Sequence, residues 1–174
     1  MRYILDLDHT LFDYGRFVGD VMRDGRLDTL ITPGIWEHYD PRAYLFPDVL
    51  PWLSERSPEE LVLLTMYTPH LGSEARAFQE EKVRRLEFAD TFGVVRVMDG
   101  EKGPHVAELA SRSDGCTVFV DDSPVHLQSA REHAPAVTCL EMRRPEYAMQ
   151  HAETAPVAPP IASLAEIDAM MQKL

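Results

Sequence analysis

The sequence contains few cysteines and no long apolar segment. Its two cysteines, Cys116 and Cys139, lack the close spacing of a metal-binding or redox pair, so we expect both to be reduced and buried beside strands. No apolar run approaches the roughly 18 residues that a membrane-spanning helix needs. The apolar stretch at the N-terminus meets Asp6 too early for a signal peptide. We therefore expect no membrane partner and a cytoplasmic location.

Positive charge is also scarce. The 174 residues include 17 lysines and arginines against 29 aspartates and glutamates, which gives a formal net charge of −12. Such a surface repels a phosphate backbone, so we expect no nucleic-acid partner. Three of the basic residues are lysines, and the other 14 are arginines. A lysine at position 102 therefore departs from the preference of this chain for arginine.

The residues that are present favour one globular domain over residues 1–174. Hydrophobic residues make up 45% and charged residues 26%, as in ordinary globular proteins. Short apolar runs alternate with helical patterns, and this alternation predicts an α/β fold with a parallel sheet. We predict strands at residues 2–6, 60–64, 94–98, 117–120 and 136–140. The expected architecture is a Rossmann-like three-layer sandwich with a central, mostly parallel sheet.

One segment interrupts this alternation, and another closes the chain. Residues 13–46 contain two short amphipathic patterns, so we predict a flap and a small helical, cap-like insertion after the first strand. Its aromatic residues are expected to pack the insertion. Residues 154–160 are rich in proline and alanine and predict a linker. A last helix over residues 163–173 is expected to follow that linker.

Polar side chains follow the predicted strands at the points where the strands end. Asp6 and Asp8 follow the first strand, Thr65 ends the second, and Asp121 and Asp122 follow the fourth. In an open parallel sheet these ends line one crevice, where ligands bind. Four carboxylates need a cation to offset their repulsion, and oxygen ligands of this kind suit Mg²⁺.

Such a site has the parts needed for phosphoryl transfer. A carboxylate beside the cation can attack phosphorus and form an aspartyl-phosphate. The negative charge of the transferred group needs hydrogen-bond donors as well as the metal. The Thr65 hydroxyl and the Lys102 ammonium can supply these donors.

These residues together resemble a known superfamily. Asp6-Leu7-Asp8-His9-Thr10-Leu11 looks like the DxDxT signature of the haloacid dehalogenase superfamily. Thr65 resembles its second motif, Lys102 its third, and Asp121-Asp122 its acidic fourth motif. The four motifs occur in the order of the superfamily and cover roughly residues 2–140.

The resemblance implies a role for each residue. Asp6 would be the nucleophile and a metal ligand. Asp8 would act as general acid and base and offer its backbone carbonyl to the metal. Thr65 and Lys102 would hold the phosphoryl group. Asp122 would contact the metal directly, whereas Asp121 would act through water or orient Lys102.

Two further residues are expected to contact the substrate. His9 lies inside the first motif, and Met66 stands where many members of the superfamily have asparagine. By contrast, His126 and His133 lie seven positions apart on one predicted helix. Without a third ligand, we interpret these two histidines as a solvated face.

The predicted function is that of a Mg²⁺-dependent phosphatase that hydrolyses a phosphomonoester. The alternatives are a phosphotransferase or phosphomutase of the same superfamily, and a non-catalytic binding module on the same scaffold. A dehalogenase is disfavoured because that chemistry needs neither Mg²⁺ nor the second aspartate. The substrate would be a phosphorylated small molecule or a phosphoprotein. A cap this small predicts either a large substrate that supplies its own cover or a partner subunit that closes the site, including a second copy of the chain.

Overall fold

The computed structural model describes residues 1–151 and 154–172, and its centre is a six-stranded sheet. In chain order the strands are β1 (Arg2–Leu5), β2 (Leu61–Met66), β3 (Val94–Met98), β4 (Thr117–Asp121), β5 (Thr138–Met142) and β6 (Pro160–Ile161). Neighbouring strands follow the order β3-β2-β1-β4-β5-β6, and each of these pairings is parallel. The predicted α/β architecture with a central parallel sheet is confirmed.

Helices cover both faces of this sheet. They are α1 (Tyr14–Arg23), α2 (Val49–Ser54), α3 (Ala75–Arg85), α4 (Gly103–Ala110), α5 (Pro124–His133), α6 (Ala148–His151) and α7 (Ala165–Met171). Within the described ranges, no helix combines the length and the apolar character needed to cross a bilayer.

Two hydrophobic cores form because successive residues of a strand point to opposite faces of the sheet. In β1, Leu5 belongs to the core shared with α1, α2, α3 and α7, whereas Ile4 belongs to the core shared with α4 and α5. Both side chains are fully buried. Burial on both faces explains why residues 3–5 of this central strand are all apolar or aromatic.

The insertion after β1 is built from α1 and three short 3₁₀ helices. Phe17 of α1 stacks on Trp36 with ring centroids 4.6 Å apart, and Trp36 stacks in turn on Phe78 of α3 at 5.0 Å. All three rings are buried. The aromatic residues thus pack the insertion against α3, which fixes its position over the end of β1.

The C-terminal segment contains a strand that we did not predict. Glu141 and Met142 of β5 pair with Pro160 and Ile161, so the end of the predicted linker joins the sheet as β6. Proline lacks the N–H donor and is tolerated in an edge strand such as this one. The predicted last helix is shorter than expected, since α7 covers Ala165–Met171, and position 173 lies outside the described residues.

The two cysteines have different environments. Cys139 is buried in β5, as expected, and both thiols are free. The prediction for Cys116 was wrong, because this residue is exposed just before β4. Its position in the turn that leads into the strand keeps it outside the core.

Candidate active site

The polar residues predicted to converge do lie at one edge of the sheet. β1 is flanked by β2 and β4, so Asp6, at the end of β1, is placed between Thr65 of β2 and Asp121 of β4. The amide of Asp6 donates to the carbonyl of Val120 at 3.0 Å, which continues the β1–β4 ladder as far as the aspartate. Regular strand pairing therefore fixes the backbone of Asp6.

Lys102 connects two of the carboxylates. Its side chain is 1% exposed, and its ammonium group donates to Asp6 Oδ1 and, at 2.7 Å, to Asp121 Oδ2. Burial alone would lower the pKa of Lys102, but Asp121 and Asp6 raise it well above its usual value. The other oxygen of Asp121 accepts a hydrogen bond from the backbone N–H of Ser123 at 2.8 Å. Asp121 thus contacts Lys102 directly, which is the geometry that a role in orienting this lysine requires.

Asp6, Asp121 and Asp122 form a compact group of acids. One carboxylate oxygen of each lies within 4.8 Å of the others. Carboxylate oxygens gathered this closely are the type of donor that Mg²⁺ takes in proteins. Burial raises the pKa of Asp6 to about 6, against the charge of Lys102. Burial, with repulsion from Asp6 and Asp121, raises the pKa of Asp122 to about 9. A divalent cation would relieve this repulsion.

The carboxylate of Asp8 faces a different set of partners. Lys82 Nζ donates to its two oxygens at 2.5 and 2.8 Å, and Gln79 Nε2 donates to Oδ2 at 2.9 Å. Gln79 Nε2 also lies 2.7 Å from Thr65 Oγ1. Burial lowers the pKa of Lys82, although the charge of Asp8 opposes this shift. The first and second motifs are therefore connected through α3.

Lys82 and Gln79 are site residues that the sequence reasoning missed. Lys82 is fully buried, and Gln79 is 3% exposed. One signal was available in the sequence. Lys82, like Lys102, is one of only three lysines in a chain that otherwise uses arginine. Lys82 also lies four residues after Phe78, on the apolar face of α3, where a charged residue needs a partner.

A cavity of about 280 Å³ opens above these groups. Asp6, Asp8, Lys102, Asp121 and Asp122 line it, and so do the two predicted substrate contacts, His9 and Met66. Thr65 is fully buried and is not among the lining residues, since Gln79 lies between its hydroxyl and Asp8. The structure therefore brings every predicted residue to one site but places Thr65 beneath its surface.

Two histidines stand beside the floor of this cavity. His9 adopts a left-handed backbone with φ of 61°, which is uncommon for a residue other than glycine and is typical of functional loops. The interpretation of His126 as part of a solvated face was wrong. His126 is 9% exposed, lines the cavity, and has its pKa lowered to about 4 by burial and by Lys102. His133, two turns further along α5, is exposed as expected.

A close helix contact positions Lys102. Gly103 begins α4 at the point where α4 crosses α5, and a Cβ at this position would lie 2.3 Å from the carbonyl oxygen of Ser129. Only glycine permits this approach. Because Lys102 immediately precedes Gly103, this contact places the backbone of Lys102, while Asp6 and Asp121 hold its ammonium group.

Comparisons with known proteins identify the fold. No protein-family model and no curated protein matches this sequence. A protein from Burkholderia xenovorans LB400 called a haloacid dehalogenase-like hydrolase has a similar structure, with a TM-score of 0.69 and 16% identity over 98% of this chain and 96% of its own.

Two characterised enzymes are also similar in structure. L-2-haloacid dehalogenase from Xanthobacter autotrophicus has a TM-score of 0.59 and 14% identity over 99% of this chain and 98% of its own. D,D-heptose 1,7-bisphosphate phosphatase from B. bronchiseptica, in complex with magnesium and phosphate, has a TM-score of 0.57 and 16% identity over the full length of both chains. These comparisons, together with the six-stranded parallel sheet, show that the chain has the haloacid dehalogenase-like hydrolase fold.

Proposed function

We propose that this protein is a Mg²⁺-dependent phosphatase that hydrolyses a phosphomonoester through an aspartyl-phosphate on Asp6. The observation that carries the proposal is the convergence of Asp6, Asp121, Asp122 and Lys102 at the carboxyl edge of the sheet. Three carboxylates offset by one lysine leave an excess of negative charge that a divalent cation would balance. When bound, Mg²⁺ would neutralise the phosphoryl oxygens and the carboxylates that face them.

In the first step, a carboxylate oxygen of Asp6 attacks phosphorus and the ester P–O bond breaks. The leaving oxygen takes a proton from Asp8, and the phosphoryl group is now bonded to Asp6. Lys102 already contacts Asp6 Oδ1, so its ammonium group is placed to stabilise charge on the transferred group.

In the second step, Asp8 acts in the opposite direction. Its carboxylate takes a proton from water, the water oxygen attacks phosphorus, and the bond from phosphorus to Asp6 breaks. Inorganic phosphate and the free Asp6 carboxylate result. Lys82 and Gln79 hold Asp8 by hydrogen bonds to both of its oxygens, and the Lys82 ammonium stabilises the ionised form that this step needs.

The same geometry bears on the alternatives. A halide-releasing hydrolysis has no use for a second carboxylate such as Asp8 or for a cation site at Asp122, which supports phosphate chemistry over dehalogenation. A phosphotransferase would use the same first step with an acceptor other than water. Product analysis with and without sugar acceptors distinguishes the two, since a transferase yields a new ester in place of inorganic phosphate.

The proposal is tested by turnover of a generic aryl phosphate with Mg²⁺. We expect inorganic phosphate release from the native protein, loss of activity with EDTA, and no detectable turnover for Asp6→Asn. Asp114→Asn, which removes an exposed carboxylate outside the site, is the matched control and should retain full activity. Unchanged turnover in folded Asp6→Asn, or activity that is indifferent to metal, would contradict the proposal.

A further inference from the structure

The walls of the active-site cavity differ in character from its floor. Acidic side chains and Lys102 form the floor. Around it stand mostly apolar and aromatic side chains from the insertion, the end of β2 and the loop after it, and α3: Tyr14, Ile31, Met66, Tyr67, Leu71, Ala75 and Phe78. The reacting phosphate would therefore lie among charges, while the rest of the substrate would lie among apolar groups.

Among the described residues that line the cavity, no unpaired lysine or arginine is available to a second anionic group. Lys102 is the one lysine or arginine of that described lining, and its ammonium group already contacts Asp6 and Asp121. Lys82, below the floor, is paired with Asp8. A carboxylate or a second phosphate on the leaving group would thus be desolvated without a partner, which is costly.

The dimensions of the cavity also limit the ligand. Its volume of about 280 Å³ lies near the lower end of the range of about 300–1,000 Å³ typical of small-molecule sites. Such a cavity can enclose one phosphate and one ring or short chain. The insertion, held by the Phe17–Trp36–Phe78 stack, contributes Tyr14 and Ile31 to the lining of this cavity.

We propose that the substrate class is a small monophosphate ester whose leaving group is apolar and uncharged, such as an aryl, arylmethyl or short alkyl group. This inference rests on the proposed function, because it assigns the leaving group of the same reaction. The apolar walls favour burial of such a group, and the lack of an unpaired cation discriminates against bisphosphates, sugar acids and carboxylated esters.

The test uses non-hydrolysable phosphonates, so that binding is measured separately from turnover. Calorimetry with the Mg²⁺-loaded protein compares benzylphosphonate with 4-carboxybenzylphosphonate, which differ by one remote carboxylate, and with 3,4-dihydroxybutylphosphonate, which is polar and uncharged beyond its phosphonate. We expect benzylphosphonate to bind at least tenfold more tightly than either of the others. Hydrolysis of the corresponding phosphate esters is measured in parallel.

A charge-adding variant tests the role of the wall. Ile31→Lys places an ammonium group at the cavity and should reduce the preference for benzylphosphonate over its carboxylated analogue at least fivefold. Leu50→Lys adds the same charge on exposed α2, outside the cavity, and should leave the preference unchanged.

The outcomes separate this inference from the proposed function. Equal or tighter binding of the carboxylated or the dihydroxy compound by the native protein would overturn the inference, even if phosphate esters are hydrolysed. A phosphotyrosine-mimicking peptide that binds more tightly than benzylphosphonate would assign the cavity to a protein substrate and would also overturn it. If the expected order of binding holds but none of the esters is hydrolysed, the ligand class stands and the proposed function fails.

Discussion

The ammonium group of Lys82 contacts both carboxylate oxygens of Asp8, at 2.5 and 2.8 Å. Lys82 is fully buried, whereas the side chain of Asp8 is 26% exposed. The ammonium group also lies 4.8 Å from the ring centre of Phe12 and 5.4 Å from that of Phe78, within the range of cation–π attraction. A helix outside the recognised motifs therefore positions the proposed general acid and base.

The first prediction concerns catalysis without Lys82. Lys82→Met keeps a long side chain in the apolar surroundings and leaves Asp8, which water can reach, with Gln79 as its remaining side-chain partner. We expect the protein to fold and kcat to fall roughly tenfold to a hundredfold, because a misplaced acid/base slows proton transfer. KM should change less than twofold, since Lys82 does not line the cavity. Arg84→Met, on the exposed side of the same helix, is the control and should leave kcat unchanged. A native kcat in Lys82→Met would contradict the positioning role.

The second prediction concerns stability and uses the same ion pair. Asp8→Asn leaves the buried ammonium of Lys82 without its nearest counter-charge, and we expect it to destabilise the fold by about 3 kcal/mol, near the lower end of the cost of breaking a buried pair. Asp8→Asn/Lys82→Met removes both charges and should recover most of that loss without recovering activity. Urea unfolding of the four proteins gives the coupling free energy. Strictly additive costs would show that the pair does not couple.

The acidic residues of the site were predictable from the sequence, but the residues that hold Asp8 in place were not. Asp6, Asp121 and Asp122 follow short strands, so their convergence follows from the rule that parallel strands end at one edge. Lys82 and Gln79 lie on a helix whose rotation is set by tertiary packing against the insertion. Without knowing which face of α3 turns inward, the sequence could not place them near Asp8. His126 escaped prediction for the same reason, because only the packed position of α5 buries it.

β6 was missed for a different physical reason. Pro160 and Ile161 are too short a pair to show a strand period, and the prolines and alanines before them favour a linker. Pairing with Glu141 and Met142 depends on the existing sheet rather than on the local sequence. Thr65 is predicted as a phosphoryl contact from its place in the order of the four motifs. The position of Gln79 above it depends instead on contacts distant in the chain.

The third prediction concerns pH. The pKa of Asp122 is raised from 3.8 to about 9 in the folded, metal-free protein. At a pH between these values, the carboxyl is protonated in the folded protein and ionised in the unfolded chain. The folded state then binds more protons than the unfolded state, and stability falls as pH rises. The pKa of His126 is lowered from 6.5 to about 4, so this residue makes stability rise with pH between those two values. Above about pH 7 it no longer contributes. We therefore expect Tm to fall between pH 7 and 9 in EDTA.

Two comparisons test whether Asp122 causes this fall of Tm with pH. Asp122→Asn removes the titrating group and should flatten the dependence of Tm on pH over the same interval. Mg²⁺ should raise Tm of the native protein more at pH 9 than at pH 7, because a cation binds the ionised carboxylates and not the protonated ones. A native Tm that rises from pH 7 to 9 in EDTA would contradict the raised pKa.

The last prediction links helix packing to chemistry. Gly103→Ala brings a methyl group to 2.3 Å from the Ser129 carbonyl oxygen, so α4 and α5 must separate, at a cost of about 1–3 kcal/mol. Lys102, which immediately precedes Gly103, would move with α4 away from Asp6 and Asp121, and kcat should fall more than tenfold while circular dichroism stays native. Gly19→Ala is the matched control: its Cβ meets nothing within 4 Å in α1, and we expect about 0.5–1 kcal/mol of added stability with unchanged kcat. A Gly103→Ala protein that lost stability but kept its kcat would contradict this prediction. The position of the Lys102 ammonium group would then depend on Asp6 and Asp121 alone.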